Sequence, residues 1–432
     1  MTTLAITGGQ VLLPDITVTR ADVLVDQDDG EILEIGDDLA DEADETLDAT
    51  DSLVTPGFVN GHCHVAMTLM RGYADDKSLD AWLQEDIWPT EAELTPDDVY
   101  HGTRLGALEM IKSGTTAFAD MYFMVPNIAD AVEEAGLRAR LGHGIVTVAS
   151  DDEEAREDAR EGLEVAEALD GRADGRISTA FMPHSLTTIG SEYLEEFVPQ
   201  ARDLGVPVHY HANETTNEVT PIVEEHGVRP MAYAAERGMV QEGDFIAHGV
   251  HLDESEIGLL AEAGTSVVHC PASNMKLASG MAPVQRMLDA GVTVGIGTDG
   301  AASNNDLSML DEARDAAMIG KLETGDASAV PAESVVKMMT QGSADAIGLD
   351  VGRLEAGAPA DIAVIDLESA HLTPRHDLVS HLAYAAAASD VRHTICDGQL
   401  LMRDREVLTL DEEAVRMQAS EAAEALVDRA ES

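Results

Sequence analysis

Two histidines separated by a single residue, His62 and His64, close the stretch GFVNGHCH. In a β-strand alternate side chains share a face, so both imidazoles would aim at one point, with Cys63 turned to the other side. Two neutral imidazoles aimed at one point are half of a metal site. Other short apolar runs also end in polar residues. His184 closes RISTAFMPH, and His211 lies in PVHYHAN with Glu214 just beyond. His248 lies in DFIAHGVHL, His269 in TSVVHCPASN and Asp299 in TVGIGTDG. Any one of these alone would more often be a satisfied polar residue at a strand end. Gathered at one rim, they are not explained by core packing, and they point to a metal site.

The elements that must position these residues repeat. Eight apolar runs end near His64, Tyr122, Ile145, Ser185, Asn213, Leu252, Asn274 and Gly300. Segments of helical periodicity, such as DVYHGTRLGALEMIKSG and SEYLEEFVPQARDLG, separate them. Strands alternating with helices imply parallel pairing. Eight such units predict an α/β fold, a (β/α)8 TIM-like barrel over residues 56–354 with its active site at the C-terminal ends of the strands. The flanks read differently. LAITGGQVLL and DVLVDQDDGEILEIG near the start, and GRLEAGAPADIAVIDL and VRHTICDGQLLMRD near the end, read as short strands with turns. Residues 1–55 and 355–432 are therefore expected to form one small composite β-sandwich domain, which also includes the C-terminal helix DEEAVRMQASEAAEALVDRA.

Composition narrows the setting. With 44% hydrophobic residues in 432, the chain is globular. It has no run of about 18 apolar residues that would span a membrane, and no basic-then-apolar leader. Three cysteines (Cys63, Cys270, Cys396) are too few for a disulfide framework. A cytoplasmic protein is expected. Acidic residues number 82 against 26 basic ones, for a formal charge of −56. That field repels nucleic acid and anionic membranes, and its spread along the whole chain resembles proteins of salt-loving archaea. Two motifs are decoys. Gly295, Gly297 and Gly300 fit a dinucleotide fingerprint, but the segment after them does not open a helix at once. Asn213-Glu214-Thr215 fits a glycosylation sequon that has no meaning in the cytoplasm. The HEXXH pattern and the paired cysteines of cytidine-type deaminases are absent.

The segments PGFVNGHCHVAMTLMRG, IWPTEAELTPDDV, HANETTNEV, AHGVHL, HCPASNMKLASGMAPV and GIGTDGAASNN together resemble the amidohydrolase superfamily, in particular its 5-methylthioadenosine/S-adenosylhomocysteine deaminase branch. The resemblance implies that His62, His64, His211 and Asp299 bind a metal and that Glu214 and His248 are catalytic. It also implies that Glu91 holds ribose hydroxyls and that His184 contacts the substrate. Relatives often carry an arginine near the end of the third strand, where this chain has Gly142-His143-Gly144. His143 thus becomes the candidate contact for the 5′ end of the substrate, and a small-tailed nucleoside is expected to be preferred.

Three imidazoles and a carboxylate suit a borderline-soft divalent cation, most simply Zn²⁺, with Fe²⁺ or Mn²⁺ as alternatives. RISTAFMPHS carries no lysine to bridge two metals, which favours one ion per chain. The expected chemistry is metal-dependent hydrolytic deamination of a purine nucleoside. Asp299 takes a proton from water, Glu214 protonates a ring nitrogen, and His248 stabilises the developing oxyanion. A free-base deaminase acting on guanine or cytosine, a triazine-type chlorohydrolase and a metal-free binding protein are the competing readings, and a homo-oligomer is compatible with all of them.

Overall fold

The computed structural model describes residues 2–148 and 150–432. Its parallel strands are β1 (Phe58–His64), β2 (Thr115–Tyr122), β3 (Arg138–Ile145), β4 (Ile177–Thr179 with Met182–Pro183), β5 (His209–Ala212), β6 (Phe245–His248), β7 (Ser266–His269) and β8 (Val294–Ile296 with Asp299–Gly300). β1 pairs with β2, β2 with β3 and β3 with β4. Bridges at Phe181–Val208 and Ser185–His211 join β4 to β5. β5 then pairs with β6, β6 with β7, and β7 with the first part of β8. The second part of β8 returns to β1, with Asp299 opposite Cys63 and Gly300 opposite His64. The architecture is α/β, as the alternating pattern predicts. β2 is buried along its whole length, as expected of a parallel strand covered on both faces.

Helices α1 (Pro96–Ser113), α2 (Val125–Ala135), α3 (Asp152–Leu169), α4 (Ser191–Leu204), α5 (Thr216–His226), α6 (Glu254–Ala263) and α7 (Met309–Thr324) follow strands β1 to β6 and β8. The acidic surplus helps to start them. Thr95 with Asp98, Asp151 with Glu154, and Asp253 with Glu256 form capping boxes at α1, α3 and α6, satisfying amides at the positive helix end.

The glycines of the apparent dinucleotide fingerprint serve packing. A Cβ on Gly297 would lie 2.7 Å from the His62 carbonyl oxygen and 2.8 Å from its nitrogen. Only glycine lets β8 approach the backbone of β1 so closely at the residue that begins the HxH pair.

The flanks meet in two sheets. One holds Glu31–Gly36, Asp22–Asp26, Thr3–Thr7 and Glu45–Asp48 in that order. The other interleaves both ends of the chain: Ser52–Pro56 pairs antiparallel with Ile362–Asp366 and parallel with Gln10–Leu12. Leu4, Ile6, Val25, Val54, Ile362 and Ile395 form a common core separate from that of the parallel strands. The final helix, α8 (Glu412–Ala430), packs on α1. Its buried stripe of Val415, Ala419, Ala422 and Leu426 recurs at helical spacing. Glu412 binds Lys112 at 2.7 Å, and Gln418 accepts from Arg104 at 2.6 Å. Among the described residues no helix is long and apolar enough to cross a membrane.

Candidate active site

His62 and His64 leave the end of β1 on the same side, while the Cys63 thiol faces Asp120 at 3.6 Å. The strand period thus does what the sequence requires of it. His211 enters from β5, and its Nε2 lies 3.3 Å from Nε2 of His64. Asp299, from the second part of β8, places Oδ1 3.1 Å from His64 Nε2 and 3.6 Å from His62 Nε2. Its Oδ2 accepts from the hydroxyls of Ser273 at 2.6 Å and Ser303 at 2.9 Å, which leaves Oδ1 free to face the imidazoles.

Hydrogen bonds on the far side of each ring set its tautomer. His64 Nδ1 donates to the Met121 carbonyl at 2.6 Å, and His211 Nδ1 donates to the His184 carbonyl at 2.7 Å. A carbonyl only accepts, so in each neutral ring Nε2 carries the lone pair. His62 Nε2 is buried with no hydrogen-bond partner. Single donor atoms of His62, His211, His248 and Asp299 all lie within 4.8 Å of one another, and the four residues are buried. Burial lowers His62 to about 4 and holds His211 well below the usual imidazole range. Burial alone would raise Asp299, but the neighbouring His62 and His64 rings hold it well below the usual carboxylate range. Burial would lower His64 as well, but the Asp299 carboxylate beside it raises it to about 9. The neutral nitrogens of His62 and His211, the first an orphaned buried acceptor, around an ionised carboxylate fit a divalent cation of the zinc type.

Beside this cluster stands Glu214, whose Oε1 accepts from Ser279 at 3.1 Å and whose Oε2 lies 3.7 Å from His248 Nε2. Burial raises its pKa. His248 Nδ1 meets the Asn274 side-chain oxygen at 2.9 Å. Three non-glycine residues here adopt left-handed backbone: Asn213 (φ 54°), His248 (φ 73°) and Asp299 (φ 58°). Such conformations cost of order 1–3 kcal/mol each and persist where the surrounding structure enforces them.

A cavity of about 360 Å³ opens over the cluster, large enough for a small-molecule ligand. His64, Glu91, His184, His211, Glu214, His248 and Asp299 all line it. Burial pushes the Glu91 carboxyl up to about 7 and lowers His184 to about 3. Apolar walls come from Met67, Leu79, Trp82, Phe123, Val146 and Val148. No lysine or arginine lines it among the described residues.

His143 corrects the sequence expectation. Its neighbour Gly144 lines the cavity, whereas His143 points outward to α3, with Nε2 2.7 Å from Asp158 and Nδ1 3.9 Å from Glu161. Alternation along β3 puts positions 142 and 144 on one face and 143 on the other. His269 also lies off the cavity: it is fully buried at the end of β7, with neither ring nitrogen bonded. Sequence reasoning missed Ser273, Ser303, Ser279, Asn274 and His209. Only His209 had a signal, because His209-Tyr210-His211 repeats the spacing of His62 and His64.

A model of the amidohydrolase family matches residues 53–401. Over 431 residues, 100% of both chains, the sequence is 65% identical to a 5-methylthioadenosine/S-adenosylhomocysteine deaminase of Natronomonas pharaonis. It is 46% identical over 405 residues, 94% of each chain, to a 5′-deoxyadenosine deaminase of Methanosarcina mazei. The crystal structure of an adenosine deaminase from Xanthomonas campestris with bound zinc matches with a TM-score of 0.92 at 36% identity, covering 99% of each chain.

Proposed function

Because the chain belongs to the amidohydrolase family, we propose that His62, His64, His211 and Asp299 hold one divalent cation, most simply Zn²⁺, at the floor of a nucleoside pocket. The reaction is hydrolytic deamination of adenosine-type nucleosides to the inosine analogue and ammonia, in keeping with the relatives. We read the succession of parallel strands over residues 56–354 as a closed (β/α)8 barrel, supported by the return of β8 to β1. In that reading the two terminal sheets form a composite sandwich from residues 1–55 and 355–432, and the centre sits at the C-terminal strand ends, where barrel chemistry belongs. The approach of His64 and His211 to each other and of His64 to Asp299, with the outer side of each ring tied to a backbone carbonyl, is the observation that carries the metal assignment.

When bound, such a cation makes water acidic enough to supply a nucleophile near neutral pH. The chain's own residues do the rest. Asp299 Oδ1, with Oδ2 saturated by two serines, takes the water proton. Glu214, raised by burial, delivers a proton to the ring nitrogen beside the carbon that bears the amine. His248, held at Nδ1 by the Asn274 side chain, presents Nε2 to the oxygen developing on the ring. The water oxygen bonds to the carbon that bears the amine, Asp299 passes its proton to the amine, the C–N bond breaks and ammonia leaves, and the remaining water proton returns to Glu214. Glu91 faces the same cavity and accepts from the two ribose hydroxyls, a role with no counterpart in a free base. His184 contacts the substrate from β4. The apolar wall, without lysine or arginine among the described residues, favours a small 5′ substituent over an amino-acid tail.

The test is ammonia release at molar KCl by the metal-loaded enzyme. 5′-Methylthioadenosine, 5′-deoxyadenosine and S-adenosylhomocysteine are the expected substrates, and guanine, cytosine and a chlorotriazine are the competing ones. Turnover confined to the competing compounds, or no ammonia from any adenosine-type nucleoside, overturns the assignment. Elemental analysis should give one metal per chain.

A further inference from the structure

His209 is fully buried one layer beneath the centre, two residues before His211 on β5. Its ring stacks on Phe245 with centroids 4.0 Å apart and planes at 12°. Its Nδ1 lies 2.9 Å from the Phe245 carbonyl oxygen, and its Nε2 lies 2.9 Å from Nδ1 of His62. The strand-end histidines thus form two storeys. In the upper one His64 faces His211, and in the lower one His62 faces His209.

Proton parity decides what the lower contact does. The Phe245 carbonyl can only accept, so His209 Nδ1 carries the hydrogen. In the neutral ring Nε2 is then a lone pair. That lone pair must receive a hydrogen from His62 Nδ1, which leaves His62 Nε2 bare and directed at the Asp299 side of the cluster. The opposite arrangement, with a hydrogen on His209 Nε2, would make His62 Nδ1 the acceptor. His62 Nε2 would then carry a hydrogen and could not coordinate a cation. His64 and His211 obtain the same orientation from backbone carbonyls. His62 obtains it from a side chain.

We propose that His209 is a positioning residue that fixes His62 in its metal-binding tautomer through the Phe245 carbonyl–His209–His62 hydrogen-bond chain. The proposal rests on the reading that His62 is a ligand. Loss of such an outer-shell partner typically costs 10- to 100-fold in metal affinity.

Zinc affinity is to be measured by chelator competition at molar KCl on the full chain and on His209→Leu, His209→Gln and His62→Ala. Leucine fills similar space without an acceptor and should weaken zinc by about 10- to 100-fold. Glutamine places an amide oxygen near the old Nε2 position and should recover most of that loss. Leucine and glutamine variants that bind zinc alike, whether as tightly as the unmodified chain or equally weakly, overturn the positioning role. His62→Ala binding zinc as tightly as the unmodified chain overturns instead the reading of His62 as a ligand. A measurement that does not depend on variant folding is ¹⁵N NMR of the imidazoles in the unmodified zinc-loaded protein. Nδ1–H tautomers at both His62 and His209 are expected, and an Nε2–H tautomer at His209 overturns the proposal.

Discussion

Glu218 makes the chemistry of the site visible as stability. Its Oε2 accepts the Glu214 amide hydrogen at 2.8 Å, its Oε1 is buried without a hydrogen-bond partner, and burial pushes its pKa from 4.5 up to about 8. A raised folded-state value means that folding favours the protonated acid. Its contribution is fully present below the unfolded value and is lost as pH rises through about 8. A tenfold difference in proton affinity between the folded and unfolded chain is worth about 1.4 kcal/mol, so the loss reaches at most about 5 kcal/mol across the window and about 3 kcal/mol at pH 7. Glu218→Gln keeps an acceptor for the Glu214 amide and does not titrate. Other buried carboxyls, such as Asp120 and Glu312, are common to both proteins and cancel in the comparison. The stability of the variant relative to the unmodified chain should therefore rise by about 1 kcal/mol per pH unit between about pH 5 and pH 8, read from urea unfolding at molar KCl. Parallel pH profiles for the two proteins would refute the argument that Glu218 is held protonated by burial.

Glu214→Gln keeps the shape of the side chain but cannot carry a proton, so it should retain metal and lose roughly a hundred- to ten-thousandfold in kcat; near-normal turnover removes Glu214 from the mechanism. His64→Ala should lose both metal and activity while Cys63→Ala keeps its metal, because the thiol faces Asp120 and not the cluster; metal content of the dialysed proteins decides. With a formal charge of −56, melting temperature should climb steeply toward molar KCl as the Debye length falls from about 10 Å at 0.1 M to about 3 Å at 1 M, and a flat curve counts against self-repulsion as the governing cost. The apolar wall, free of lysine and arginine among the described residues, should give 5′-methylthioadenosine at least about a tenfold advantage in kcat/KM over S-adenosylhomocysteine, or roughly 1.4 kcal/mol; equal efficiencies would show that a cation reaches the tail after all.

The sequence discloses features that depend on local periodicity. His62 and His64 share a side because a strand has period two, and the alternation of apolar runs with helical segments gives the α/β order. The same period corrects His143: its place in a motif suggests the substrate pocket, but its parity assigns it to the helix-facing side of β3. His209 follows the rule that found His62, yet it lies one layer lower, where attention to the strand rim does not reach. Ser273 and Ser303 are illegible for another reason. They meet Asp299 from the short helices Pro271–Lys276 and Ala301–Asn304, and only the three-dimensional path of those turns brings both hydroxyls to one carboxylate oxygen. The seat of α8 on α1 is likewise hidden, since an apolar stripe states that a helix is covered but not by what.

The pairing of Ser52–Pro56 with Ile362–Asp366 has a consequence for how the polypeptide is made. The first of these strands leaves the ribosome roughly 300 residues before its partner, a wait of about 15–60 s at typical elongation rates. During that interval the edge of Ser52–Pro56 opposite Gln10–Leu12 has no partner and is open to pairing with a neighbouring nascent chain. The residues just ahead of it, DDLADEADETLDATD, are dense in carboxylates. Flanking charge of this kind acts as a gatekeeper against intermolecular β-pairing. Charge so placed opposes pairing between chains over the interval before the second half of the divided sheet is synthesised.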